Sequence, residues 1–191
     1  MYHCNPVQLE PLTYTGNIMI IQFENKADNL PELIGLLSTR TVFFDLDGVC
    51  IDATHRQILK PDGSLDLAKY RENSTARKIA KDKELPFLQA LQHCVSRDHY
   101  HGIHIATARV ICPHTKKWLE KRGALPASII SRNGENDTRR DHVLKHDGIT
   151  KVLPYANQRR RAVLIDDNMN NLLMASDDLG MLAVHVPFAG H

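Results

Sequence analysis

Two short runs that are apolar at every position end in paired carboxylates, and they stand far apart in the chain. Val42-Phe43-Phe44 leads into Asp45-Leu46-Asp47-Gly48, and Val163-Leu164-Ile165 leads into Asp166-Asp167. A strand with no polar face must be covered on both sides, which is the condition of a parallel sheet packed between helices. Acids that follow such a strand emerge at its carboxyl end, where open α/β sheets bind ligands. If the two strands are neighbours, four carboxylates converge. Like charges at that spacing repel unless a hard cation neutralises them, and oxygen-only donors suit magnesium, which also takes substrate phosphate.

The remaining pattern agrees with such a sheet. From Thr41 onward, short apolar runs alternate with helical stretches, the signature of an α/β fold with a mostly parallel sheet. Strands are predicted over 41–44, 103–106, 128–130, 162–165 and 182–186. Helices are predicted near 66–82, 85–98, 114–122, 138–145 and 171–179, with Pro86 opening the second and Gly123 closing the third. Pro61-Asp62-Gly63 marks a loop. Residues 1–40 read as an extension packed on a domain spanning 41–191. The extension carries the apolar run Asn17 to Phe23 and a short helix from Asp28 to Leu37, capped by Asp28 or Asn29.

Composition narrows the function classes. A hydrophobic share of 42% with 24% charged residues supports a packed core and excludes the low-hydrophobicity signature of disorder. The formal charge of +2 is too small to announce a nucleic-acid binder, so any such role must come from local features. Cys4, Cys50, Cys94 and Cys112 form no CxxC pair, and the histidines form no HExxH pattern, which argues against a zinc site. With no basic-then-apolar leader and no membrane-length apolar run, a cytoplasmic protein is the expectation.

The motif order resembles the haloacid dehalogenase superfamily over roughly residues 41–188. That family opens on an apolar strand followed by DxDG and closes on an apolar strand followed by DD. The resemblance implies a Rossmann-like three-layer sandwich with a small or absent cap, because the stretch between the first two motifs is too short for a large lid. It further implies a magnesium-dependent phosphatase in which Asp45 is the nucleophile and Asp47 the general acid and base. The family's second motif is a strand ending in Ser or Thr, matched by Ile105-Ala106-Thr107-Ala108-Arg109. By that match Thr107 holds the phosphoryl group, with Gly48 and Ala108 beside the substrate. Lys145, four residues after Asp141 on one helical face, fits the family's charge-offsetting lysine. Metal ligands would come from Asp45, Asp47 through its carbonyl, Asp166 and Asp167.

A closer resemblance lies in Asp137-Thr138-Arg139-Arg140-Asp141-His142-Val143-Leu144-Lys145, which is similar to the DTR-x-D-x-x-x-K stretch of the 3′-phosphatase domains of phage polynucleotide kinases. Arg56 and Arg109 also match by spacing. This resemblance adds Arg56, Arg109 and Asp141 as substrate contacts and implies removal of 3′-phosphate from nucleic acid ends or nucleotides. Val49 and Thr107 depart from the usual Thr and Ser, and the sequence contains no GxxxxGK[ST] loop, so no kinase half is present. A mononucleotide or other small-molecule phosphatase would use the same motifs. An inactive binding protein that keeps the fold is a further alternative, and the intact acids speak against it.

Overall fold

The computed structural model describes residues 19–63, 65–97, 102–134 and 136–188. Cys4, His99, Tyr100, His101 and the first residues of the apolar run at 17–23 lie outside them. In chain order the elements are β1 (Ile20–Gln22), α1 (Leu30–Leu37), β2 (Thr41–Phe44), β3 (Ile51–Asp52), α2 (Leu67–Glu72), α3 (Ala76–Ile79), β4 (Lys83–Glu84) and α4 (Leu88–Ser96). They continue with β5 (Ile103–Ala106), α5 (Pro113–Glu120), β6 (Ser128–Ile130), α6 (Asp141–Val152), α7 (Ala156–Arg159), β7 (Ala162–Asp166), α8 (Met169–Leu173) and β8 (Leu182–His185).

One six-stranded sheet runs in the order β1-β8-β7-β2-β5-β6, and each of its pairings is parallel. The fully apolar strands occupy its middle. Val42, Phe43 and Phe44 have no exposed surface, and neither do Val163, Leu164 and Ile165. Their alternation assigns them to opposite cores. Val42, Phe44, Val163 and Ile165 join the larger cluster with Leu33, Leu91 and Trp118. Phe43 and Leu164 face the other cluster, with Ile149 and Met174. Burying each of these side chains contributes about 1.5–3 kcal/mol, and that gain fixes which strands lie innermost. The result is the expected Rossmann-like sandwich. Strand order reverses between β2 and β7, which is where a doubly wound sheet opens a crevice at its carboxyl edge.

Several helices differ from the pattern predicted by sequence. The stretch at 66–82 is two short helices, because Asn73 ends α2 and Thr75 caps α3 by accepting a bond from the Lys78 amide. The helix at 138–145 begins instead at Asp141 and runs through Gly148 to Val152. A Cβ on Gly148 would stand 2.2 Å from Ile130 Cγ2, so the glycine lets the helix lie against β6 rather than ending it. The last predicted helix is shorter and continues as a π-helical stretch, Met174–Asp178. The β3 and β4 ribbon and the four-residue α7 had no counterpart in the periodicity.

Residues from the first forty contribute β1 at the sheet edge and α1 against α4. Asn29 does stand at the N-cap, yet its side chain makes no capping bond and donates to the Glu24 carbonyl. Asn25 reaches further. Its amide nitrogen donates to the Val49 carbonyl at 2.9 Å and its oxygen accepts from the Phe87 amide at 3.0 Å, bracing the loop that follows Asp47. Among the described residues no helix is long and apolar enough to cross a membrane.

Candidate active site

The register of β2 against β7 pairs Phe44 with Ile165, so Asp45 and Asp166 leave the sheet side by side. The Asp45 amide donates to the Ile165 carbonyl at 2.9 Å, which carries the pairing one residue into the loop. One carboxylate oxygen each from Asp45, Asp166 and Asp167 lies within 4.8 Å of the others. Asp45 is 6% exposed and Asp166 not at all.

Lys145 enters this cluster from α6, also without exposed surface. Its Nζ stands 2.7 Å from Asp166, 3.3 Å from Asp45 and 3.5 Å from Asp141. Burial works against its charge, but Asp166, Asp45 and Asp141 outweigh burial and raise its pKa. The acids feel the converse. Burial pushes the Asp45 carboxyl well above the usual carboxylate range; Lys145 opposes that, and Asp166, Asp141 and Asp167 add to it. Burial also raises Asp166, and Asp167 is pushed up to about 7, first by burial and then by the charge of Asp166. Asn171 donates to both oxygens of Asp166 and to Asp141, fixing their planes.

Asp47 has a different cationic partner. Arg109, two residues past Thr107, holds both of its oxygens with a guanidinium fork. Burial opposes the Arg109 charge, and the proximity of Asp47 overcomes it. Thr107 is buried and accepts from the Arg109 amide at 3.3 Å, so hydroxyl and arginine are set by one turn after β5. Arg56 lies below this level. Its side chain is 1% exposed, its fork is held by Asp82 at 2.7 and 2.8 Å, and its Nη1 donates to Ser74 Oγ at 3.0 Å. The structure therefore brings Asp45, Asp47, Thr107, Ala108, Arg109, Asp141 and Asp167 to one cavity wall, with Lys145 and Asp166 behind them and Arg56 outside the lining.

Gly48 adopts φ of 76°, and a Cβ there would meet Asp167 Oδ2 at 2.2 Å. The glycine thus gives Asp167 its room. A Gly48→Ala substitution adds about 1–2 kcal/mol of backbone strain and displaces Asp167. We expect a fall in kcat of tenfold or more with a melting temperature lowered by roughly 2–8 °C. Kinetics and a thermal melt check it, and unchanged kcat would show that the contact is dispensable.

The cavity has a volume of about 770 Å³ and a lining of two chemical kinds. Acids, Thr107, Arg109 and Arg132 make up one. Leu59, Leu65, Leu67, Tyr70, Val110 and Met169 make up the other, drawn mostly from the segment between the first two motifs. That segment forms a small cover, as its length implied. Sequence reasoning passed over Arg132, Tyr70, Asp82 and Asn171. Arg132 was the most findable, since it follows β6 by two residues at the same sheet edge. It is 8% exposed, and its Nη1 donates to the carbonyls of Asp137 and Arg139 at 2.9 and 2.6 Å.

The Asp137 stretch closes a loop. Arg139 forks onto Asp137 at 2.9 and 2.7 Å and reaches Asp147 at 2.9 Å, and Asp137 also accepts from the Asn133 amide at 3.1 Å. These bonds hold Asp137 well below the usual carboxylate range, Arg139 being the largest influence. They also keep 137–140 out of the helix, which explains the late start of α6.

The donor set fits a hard divalent cation. Asp141 Oδ1 and Asn171 Oδ1 are buried oxygens with no hydrogen-bond partner beside the acid cluster, and Asp45 Oδ1 meets the Lys145 ammonium at 3.3 Å without a hydrogen bond. Buried acceptors are nearly always satisfied, and an all-oxygen group of this charge suits magnesium.

Against known proteins, residues 36–185 match the family described as bacteriophage T5 5′-deoxynucleotidase. The chain belongs to this family. It is a phosphoric monoester hydrolase, and the nucleotidase family carries that assignment. No curated protein sequence matches it at a significant level. Among solved structures, a chain of the Pnkp1/Rnl/Hen1 RNA repair complex aligns with TM-score 0.52 and 16% identity over 80% of this chain. The alignment covers 44% of that protein, so the present chain spans less than half of its length. A Lactobacillus plantarum protein described as a phosphoglycolate phosphatase aligns with TM-score 0.53 and 12% identity over 76% of this chain and 86% of its own. At these identities the two structures share the fold.

Proposed function

We propose that the chain is a magnesium-dependent phosphatase of the haloacid dehalogenase superfamily that hydrolyses nucleoside 5′-monophosphates, deoxynucleotides foremost. The observation that carries the reading is one cavity lined both by the buried Asp45 carboxylate, beside Lys145, and by a set of apolar side chains. A phosphate needs the first and a nucleobase the second, and about 770 Å³ falls within the roughly 300–1,000 Å³ of small-molecule pockets. The family's 5′-deoxynucleotidase description supports the same choice.

Asp45 attacks phosphorus as the bond to the leaving oxygen breaks, forming an aspartyl phosphate. Asp47 gives that oxygen its proton, then takes one from the water that hydrolyses the intermediate and frees Asp45. Thr107 and the Ala108 amide hold the phosphoryl oxygens, Lys145 offsets their charge, and Arg132 and Arg109 border them. Magnesium, held by Asp45, Asp166, Asp167 and the Asp47 carbonyl, would neutralise the acid cluster and the phosphoryl group. Arg56 acts from behind the lining through Asp82, and Asp141 acts from the cavity wall through its contacts with Lys145 and Asn171. Residues 41–191 are the catalytic domain, and of the first forty residues the described ones, 19–40, brace it.

The second reading, removal of 3′-phosphate from nucleic acid ends, has the Asp137 to Lys145 stretch in its favour. A substrate panel with magnesium decides between them. Deoxynucleoside 5′-monophosphates are expected to turn over fastest, ahead of 3′-monophosphates, 3′-phosphorylated oligonucleotides and sugar phosphates. A preference for the oligonucleotide would install the second reading, and a preference for sugar phosphates would reject both. Replacing Leu59 and Leu67 together by Ala removes apolar contact worth about 1–3 kcal/mol. KM for the nucleotide should rise about tenfold with kcat unchanged, and KM for p-nitrophenyl phosphate should stay put.

A further inference from the structure

From the cavity wall inward, four charges alternate in sign. Asp47 is held by the fork of Arg109; Arg109 Nη1 stands 3.7 Å from Asp82 Oδ2; and Asp82 receives the fork of Arg56 at 2.7 and 2.8 Å. Exposure falls inward along the chain. The Asp47 side chain is 24% exposed, Arg109 4%, and Asp82 and Arg56 1% each. The Tyr70 ring lies against both arginines, 4.8 Å from the Arg56 guanidinium and 6.0 Å from that of Arg109. Asp82 and Arg56 come from the small cover, whereas Arg109 and Asp47 come from the sheet edge.

Two guanidinium groups this deeply buried need counter-charge, and Asp82 lies between them. Without it, Arg56 and Arg109 repel across a dry space, and Arg109 keeps Asp47 as its remaining anionic contact among the bonds described. We infer that Asp82 is a positioning residue, which acts through Arg109 to set where the Asp47 carboxyl stands and so ties the cover to proton transfer. The inference rests on the acid role proposed for Asp47. It asks Asp82 to touch neither substrate nor metal.

A double-mutant cycle on kcat/KM with two substrates tests it. A deoxynucleoside 5′-monophosphate loses an alkoxide and depends on the proton from Asp47, whereas p-nitrophenyl phosphate loses a stable phenolate and depends on it little. Asp82→Asn should lower kcat/KM for the nucleotide by roughly 10- to 100-fold, the span of coupling between contacting charges, with KM little moved and only a few-fold loss on p-nitrophenyl phosphate. In an Asp47→Asn background the same change should add less than about threefold. Losses that multiply in the double variant, or that are equal on the two substrates, would overturn the inference and leave Asp82 a purely structural residue. Full nucleotide turnover in Asp47→Asn alone would instead overturn the acid assignment on which it rests. If Asp82→Asn does not fold, Arg56→Lys, which keeps the charge but loses the fork on Asp82, is read in the same way.

Discussion

Replacing Asp45 by Asn is expected to reduce turnover to background while leaving the metal-free protein as stable as the parent or more so. The activity loss should be on the order of 10⁵-fold or more, the usual consequence of removing a covalent nucleophile. The amide keeps the shape of the side chain but carries no charge with which to attack phosphorus. The stability effect has the opposite sign because Asp45 sits among Asp166, Asp141 and Asp167 with Lys145 as its counter-charge. Its carboxyl is raised above the unfolded value, so the folded state holds a proton that the unfolded chain has released. As pH climbs through the ordinary carboxylate range, that difference subtracts from stability. The gain from Asn is therefore larger at pH 8 than at pH 4. Thermal melts in chelator at the two pH values measure it, beside kinetics in magnesium. A variant that turns over at the parent rate removes Asp45 as the nucleophile, and one that melts much lower at pH 8 shows that the Lys145 contact outweighs the crowding.

Such opposition between function and stability is what a site built to hold charge in a dry place should show. Magnesium is expected to act on the same quantity from the other side, stabilising the folded state by mass action. That response should be weak in Asp45→Asn, which has one carboxylate fewer.

The parts of this arrangement that sequence reveals are those governed by short-range periodicity. Val42 to Phe44 and Val163 to Ile165 announce buried parallel strands because no residue in either run could face water, and their acids then have one place to go. Lys145 and Thr107 were legible from the order of the family's motifs, because the four-residue spacing of Asp141 and Lys145 alone would equally describe a surface ion pair. What sequence does not carry is partnership across the fold. Nothing near Asp82 marks it as the receptor of two arginines, since Arg56 and Arg109 come from different parts of the chain. The same holds for Arg56, whose match by spacing suggested a hand on substrate and whose fork is instead spent on Asp82. The continuation of α6 through Gly148 was hidden for a related reason. The value of this glycine lies in contact with Ile130, which local helix propensity does not register.

Lys145→Ala is expected to damage fold and catalysis together. The ammonium is wholly buried within 3.5 Å of three carboxylates, and its removal leaves Asp45, Asp141 and Asp166 facing one another. Breaking a buried ion pair from one side costs about 3–5 kcal/mol, which corresponds to a melting temperature lower by roughly 6–20 °C. At a temperature where the variant is still folded, kcat should fall on the order of 10²–10³-fold, the loss expected when a fixed charge is withdrawn from a developing anion. Magnesium separates the two losses. A cation among the unpaired acids restores part of the melting temperature, but on the role proposed for Lys145 it cannot replace the ammonium that offsets phosphoryl charge, so turnover stays low. Arginine does not substitute, because its planar fork is bulkier than the ammonium and the pocket around Nζ is closed. Recovery of both melting temperature and turnover in magnesium would mean that the ion alone supplies the positive charge, and that Lys145 is there only to keep the acids together while the metal is absent.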